Sequence, residues 1–146
     1  MGTLRDKVSD PATRQRTIDE GIKTIDAEVG DRSGFGGMAL KAAYAMVKGI
    51  APGIVPKLLN GMLDDMLDSL QPFHDQAKQG SLDLKQLFAQ RSSEVANALL
   101  GVTDARAAKA GGGPLKKGYE KLRPSAQKHV EQALPRLADL VKSVAG

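Results

Sequence analysis

The chain has 146 residues, no Cys and no Trp, with 21 Lys plus Arg against 17 Asp plus Glu, a formal charge of +4. This length fits one domain with a single core, and the lack of Cys excludes a disulfide framework and any thiolate-held metal. A chain that is 41% apolar and 26% charged belongs with folded soluble proteins rather than disordered ones.

The longest uncharged run, residues 95–103, is about half the length a membrane-spanning helix needs. Residues 1–6 lack the apolar stretch of a secretory signal, and Asp6 stands where a myristoylation signal wants Ser or Thr. Together with the absence of thiols, this gives the expectation of a cytoplasmic protein.

Helical periodicity dominates, and no stretch alternates long enough to suggest a strand. Asp10-Pro11 reads as a helix start, an N-cap acceptor followed by a residue with no N–H to leave unpaired. Ile18, Ile22, Ile25 and Val29 then recur every three or four residues as one narrow apolar stripe. Ser33-Gly34-Phe35-Gly36-Gly37 breaks the pattern, and Phe35 in it is expected to plug the core. A second helix is expected over 38–50, with Leu40, Tyr44 and Val47 on one face, ended by Pro52-Gly53.

The third helix, 53–70, carries nine apolar residues from Ile54 to Leu70. They cover about 220° of its circumference, which marks it as a central helix packed on two sides. Gln71-Pro72 is expected to kink or restart it. Ser81 and Asp83 can cap a helix that turns Leu84, Leu87 and Phe88 inward, and Ser92 or Ser93 can cap the next, with Val95, Leu99 and Val102 as its stripe. That helix runs into an Ala-rich stretch ending at Ala110, and Gly111-Gly112-Gly113-Pro114 is the clearest loop. A short helix over 115–122 and a final one over 124–144 complete the chain. Val130, Leu134, Leu137, Val141 and Val144 stripe the last helix, and Pro135 is a kink. The fold expected is all-α, a single compact bundle of about six or seven helices spanning 1–146.

Four segments, Ile25-Asp26-Ala27-Glu28-Val29, Leu40-Lys41-Ala42-Ala43-Tyr44, Val102-Thr103-Asp104-Ala105-Arg106 and Lys128-His129-Val130-Glu131-Gln132-Ala133-Leu134-Pro135, resemble a family of small uncharacterised bacterial helical proteins carried as a domain of unknown function. The resemblance covers most of the chain. It implies an all-helical domain in a bacterial cytoplasm and brings no catalytic residues with it.

Catalysis finds little to stand on. Asp64-Asp65-Met66-Leu67-Asp68 matches the aspartate-rich pattern that holds Mg²⁺ on diphosphate in long helical synthases, but the second metal-binding segment those enzymes need is missing. A solvated acidic face is the expectation. His74 and His129, the two imidazoles, lack metal-ligand spacing, and His74 is expected in a cap or surface role. The Gly34–Gly37 segment lacks a P-loop's Lys-Ser/Thr ending and reads as an interhelix hinge. No enzyme, cofactor or metal is expected.

Charge gives more leverage. From Arg106 onward there are 9 basic and 3 acidic residues, whereas residues 1–105 hold 12 and 14. Lys116, Lys117, Lys121, Arg123, Lys128 and Arg136 are therefore the candidate site, a basic C-terminal face for an anionic partner such as RNA or an acidic protein. With few aromatic rings, base stacking is not expected, and Tyr119 is expected in the core. The alternative is a carrier of an apolar ligand or lipid in a bundle cavity lined by Met38, Met46, Met62 and Met66. The apolar stripe of the last helix could join two copies, but packing it within one chain avoids the cost of association and is preferred.

Overall fold

The structure, a computed structural model, describes residues 2–109 and 112–145, the Phe35 side chain excepted. Ala110, Gly111 and the expected role of Phe35 lie outside those residues. Seven helices and no strand are found among the described residues: α1 (Leu4–Lys7), α2 (Pro11–Asp31), α3 (Gly34–Ile50), α4 (Ile54–Gln79), α5 (Leu84–Gln90), α6 (Ser92–Lys109) and α7 (Pro114–Ala145).

The starts of the first helices follow from local chemistry. Thr3 and Asp6 form a capping box around α1, each side chain accepting from the other's backbone N–H at 3.1 Å. Asp10 accepts from the Thr13 N–H at 2.9 Å, and Pro11 opens α2. Between α3 and α4, Gly53 adopts φ +73°, a left-handed conformation that a side chain would disfavour.

Three expected breaks are absent. α4 runs through Pro72 to Gln79, and α7 runs through Pro124 and Pro135 as one 32-residue helix that begins at Pro114. All three interior prolines are exposed, so the carbonyl that each leaves unbonded four residues earlier lies on the solvent side. Because α4 continues, His74 falls on the face of Leu67 and Leu70 and is buried, not capping or at the surface as expected. The expected hinge reduces to Arg32 and Ser33, since α3 already starts at Gly34.

Two helices organise the bundle. α4 packs on α1, α2, α3, α5 and α6, and α7 packs on the same five, yet α4 and α7 pack little on each other. The tight core gathers where α5 and the start of α6 meet the C-terminal halves of α4 and α7, with Leu70, Phe88, Val95 and Leu134 almost wholly buried. α1, which the periodicity reading misses, adds Leu4 and Val8 to it. The stripe of α7 is covered within the chain, Leu134, Val141 and Val144 being buried. Removing three carbons from the centre of this core, in Leu134→Ala, should cost about 2–5 kcal/mol. Chemical denaturation of the two proteins at matched conditions measures it.

Candidate ligand cavity and basic face

Ion pairs tie the helices together at the surface, and they account for several of the candidate residues. Arg14 of α2 reaches Asp64 at 2.7 Å and Asn60, and Arg5 of α1 reaches Asp68 at 2.6 Å and Asp65 at 3.7 Å. The aspartates of the Mg²⁺-like pattern thus face arginines. No group of three potential metal ligands occurs among the described residues.

Of the basic candidates, Arg123 donates to both oxygens of Asp104, at 2.9 and 3.1 Å, and Tyr119 donates to the same carboxylate. The Arg123 and Tyr119 hydrogen bonds hold the Asp104 carboxyl below its ordinary pKa. Tyr119, expected in the core, is only half-buried, with its hydroxyl in this cluster. Arg136 bonds Glu28 at 2.9 Å and also Asp31, fastening α7 to α2. Lys116, Lys117, Lys121 and Lys128 have no ion-pair partner among the described residues. At 100° per residue, Lys117, Lys121 and Lys128 fall within 40° of one another, an exposed stripe about 16 Å long. The structure therefore separates the six residues into an unpaired lysine set and two arginines held by carboxylates.

The space between α4 and α7 is a cavity of about 340 Å³. Leu59, Leu63, Met66 and Leu70 of α4 face Val130, Ala133, Leu137 and Val141 of α7 across it. Ile25 and Val29 of α2, Leu40 of α3 and Leu99 of α6 close the sides. The residues expected to fill a core here, Ile25, Val29, Leu59 and Leu137, are only half-buried, because part of each side chain borders the cavity. Of the four methionines expected to line such a space, only Met66 does. Met38 sits on the face of α3 opposite Leu40 and points outward, Met46 rests its tip on Gly118 of α7, and Met62 borders a separate groove beside Arg106.

Five polar side chains border the cavity, and four have partners. Thr17 and Thr24 donate to the carbonyls of Thr13 and Glu20, and the Thr103 hydroxyl lies between the Leu100 carbonyl at 3.0 Å and the Tyr119 hydroxyl at 2.7 Å. Glu28 accepts from Arg136 and pairs with Arg32 at 3.2 Å. His129 is the exception: both ring nitrogens are buried and no protein group bonds either one. Sequence spacing could not single it out, since a histidine among apolar residues carries no mark of its surroundings. A more open groove of about 550 Å³ between α5 and α7 mixes Lys85, Lys128 and Glu131 and encloses nothing.

A family of unknown function, DUF6918, matches residues 4–145. The chain belongs to this family. No curated protein and no solved structure matches it. Family membership accordingly leaves the assignment of function to the geometry.

The imidazoles also set a pH dependence. Burial, followed by Arg32 and Lys128, lowers the His129 pKa below the ordinary 6.5, and burial followed by Lys7 and Lys78 lowers that of His74. Such a histidine takes up its proton more readily when unfolded. The stability it confers is complete above about pH 6.5 and is lost as pH falls from there through the folded value. Asp31, Asp83 and Asp104 have carboxyls held below 3.8 by Arg136, Lys142 and Arg123, so their share is present above about pH 3.8 and lost as pH falls through the folded values. Melting temperature should therefore decline in two stages on acidification, the first beginning near pH 6.5. A His74→Gln/His129→Gln variant should lose the first stage and keep the second.

Proposed function

We propose that this protein binds an elongated apolar molecule between α4 and α7, with one hydrogen-bonding group of that molecule placed against His129. The cavity is the observation that carries the reading. About 340 Å³ walled almost wholly by aliphatic side chains is space that close packing does not leave, and apolar atoms placed there would bury that surface at about 25 cal/mol per Å². Water is a poor filler, since each molecule needs two to four polar partners and the lining leaves only the His129 ring and Glu28 Oε2 without a hydrogen bond. The volume falls at the lower end of small-molecule sites, about 300–1,000 Å³, and exceeds the ~150 Å³ that suffices for benzene.

Solvent extraction of protein purified from its own cells, followed by mass spectrometry, should yield a bound apolar compound. Delipidated protein should bind the fluorescent apolar probe N-phenylnaphthylamine. Ala133→Leu, which fills part of the cavity, should weaken probe binding about tenfold while raising the melting temperature. No extracted compound and no probe binding by folded protein would defeat the reading. His129→Leu should weaken binding of the extracted compound.

A second reading rests on the unpaired lysines of α7. An exposed stripe of Lys117, Lys121 and Lys128, with Lys116 beside it, suits a polyanion such as RNA or an acidic protein, and no carboxylate among the described residues forms an ion pair with it. Changing all four to Gln should leave the melting temperature nearly unchanged, because exposed charges contribute little to stability. It should also flatten the salt dependence of RNA binding by about 0.7–0.9 in log–log slope for each phosphate contact removed. An unchanged slope would show that these lysines touch no phosphate.

A further inference from the structure

Residues 32–63 contain no Asp or Glu, although the chain has 17, and they carry Arg32, Lys41, Lys48 and Lys57. This segment is α3, the turn at 51–53 and the start of α4, two helices that meet at a 100° bend. The inward face of α3 is accounted for: Leu40 reaches the cavity, Tyr44 donates to Asp26 of α2 at 2.5 Å, and the tip of Met46 lies against Gly118 of α7, where a Cβ would collide with it.

The outward face is the anomaly. Met38, Ala42, Ala45 and Gly49 fall within about 60° of arc and are all exposed, Met38 at 66%, with Ile50 at 38% beyond them, while Met46 at the edge of the arc bends its tip onto α7. A helix on the outside of a bundle ordinarily turns polar residues to water. α2 does so with Gln15, Asp19, Lys23 and Asp26. On α3 the only charges are Lys41 and Lys48, side by side along one border of the apolar arc. Lys48 rests 4.7 Å from the Tyr44 ring centre and remains exposed.

We propose that the α3–α4 corner docks on the surface of an anionic lipid bilayer. Met38 and Ile50 enter the boundary between headgroups and acyl chains, and Lys41, Lys48 and Lys57 meet lipid phosphates. An in-plane helix with an apolar face and bordering lysines is suited to this, and anionic headgroups supply the charge that the segment lacks. A second copy does not: a two-fold contact would set Lys41 and Lys48 against themselves, with no acidic residue in the segment to offset them. No single helix among the described residues is long and apolar enough to cross a membrane; α3 and α4 reach that length and apolarity only as a bent pair, and α4 buries Leu63, Leu67 and Leu70 inside the bundle, so the contact proposed is with one leaflet. This inference stands apart from the cavity's occupant.

The test is co-sedimentation of the intact protein with vesicles of mixed phosphatidylglycerol and phosphatidylcholine, and with vesicles of phosphatidylcholine alone. Binding is expected to the mixed vesicles only, at low ionic strength, and should largely disappear at about 1 M salt, where the Debye length is about 3 Å. Met38→Asp/Ile50→Asp and, separately, Lys41→Gln/Lys48→Gln/Lys57→Gln should each weaken binding about tenfold or more without lowering the melting temperature. On wild-type protein, vesicles should slow hydrogen exchange across residues 34–53. Absence of binding at low salt overturns the inference. So does binding that both variants retain but Lys117→Gln/Lys121→Gln/Lys128→Gln abolishes, and so does a dimer in light scattering that Met38→Asp dissolves.

Discussion

The separation of α4 from α7 is the constraint on which the rest of this structure depends. Each of these helices touches the same five neighbours, and each presents a broad apolar surface to the other across a gap too wide for their side chains to fill. Close packing is restored only toward their C-terminal halves, where α5, α6 and α1 wedge Phe88, Val95 and Leu4 into the space. The bundle thus has a dense end and a hollow middle. In the hollow part α3 contributes one lining side chain, Leu40, and the described side chains of α3 leave no residue but Gly37 fully buried.

A bundle with a hollow centre gains less from burial than its composition allows, and surface electrostatics bear more of the geometry. Arg136 binds α7 to α2 through Glu28 and Asp31, Arg14 binds α2 to α4 through Asp64, and Arg123 binds α7 to α6 through Asp104. Each such pair contributes little by itself in water. Their placement matters more than their strength, since each joins a different pair of the helices that wall the cavity. An arginine fork on a carboxylate also fixes direction as well as distance. The six basic candidates therefore divide, Arg123 and Arg136 holding helices and Lys116, Lys117, Lys121 and Lys128 left without an ion pair among the described residues, whereas Lys142 beyond them pairs with Asp83 at 2.8 Å.

The all-helical bundle was legible in the sequence because the apolar repeat of 3.6 survives in every long helix, and the Asp10-Pro11 start has a cap chemistry that reads directly. Boundaries failed where proline was taken as a break. Pro72, Pro124 and Pro135 each sit on the wet side of a helix, where the lost hydrogen bond costs least, and no local signal in the sequence distinguishes that side. Thr3-x-x-Asp6 was a readable capping box that the short α1 hid. The cavity was legible only in its lining chemistry. Leucines and valines at helical spacing look the same whether their tips meet or stop short, and that difference is set by the distance between helices. Met38 illustrates the converse error, an apolar residue assigned inward that the α3 register turns out.

His129 shows how the two levels join. Val130, Ala133, Leu137 and Val141 beside it make the α7 wall apolar, and a further aliphatic residue would pack there at no cost in desolvation. An imidazole with both nitrogens buried and unbonded forfeits hydrogen bonds that water supplied in the unfolded chain, a loss of about 1–3 kcal/mol for each orphaned group. The threonines nearby avoid that loss by bonding to their own helix or its neighbour, and Glu28 avoids it through two arginines. A histidine on a regular helix has no such local remedy, because its ring reaches beyond the backbone that raised it. The remaining remedy is a group brought in from outside the chain. A neutral imidazole offers one donor and one acceptor at fixed positions, so it selects for a hydroxyl or similar group at one point of an otherwise apolar molecule. In the proposed function the imidazole is the part of the site that would specify orientation, and the apolar walls are the part that would supply affinity.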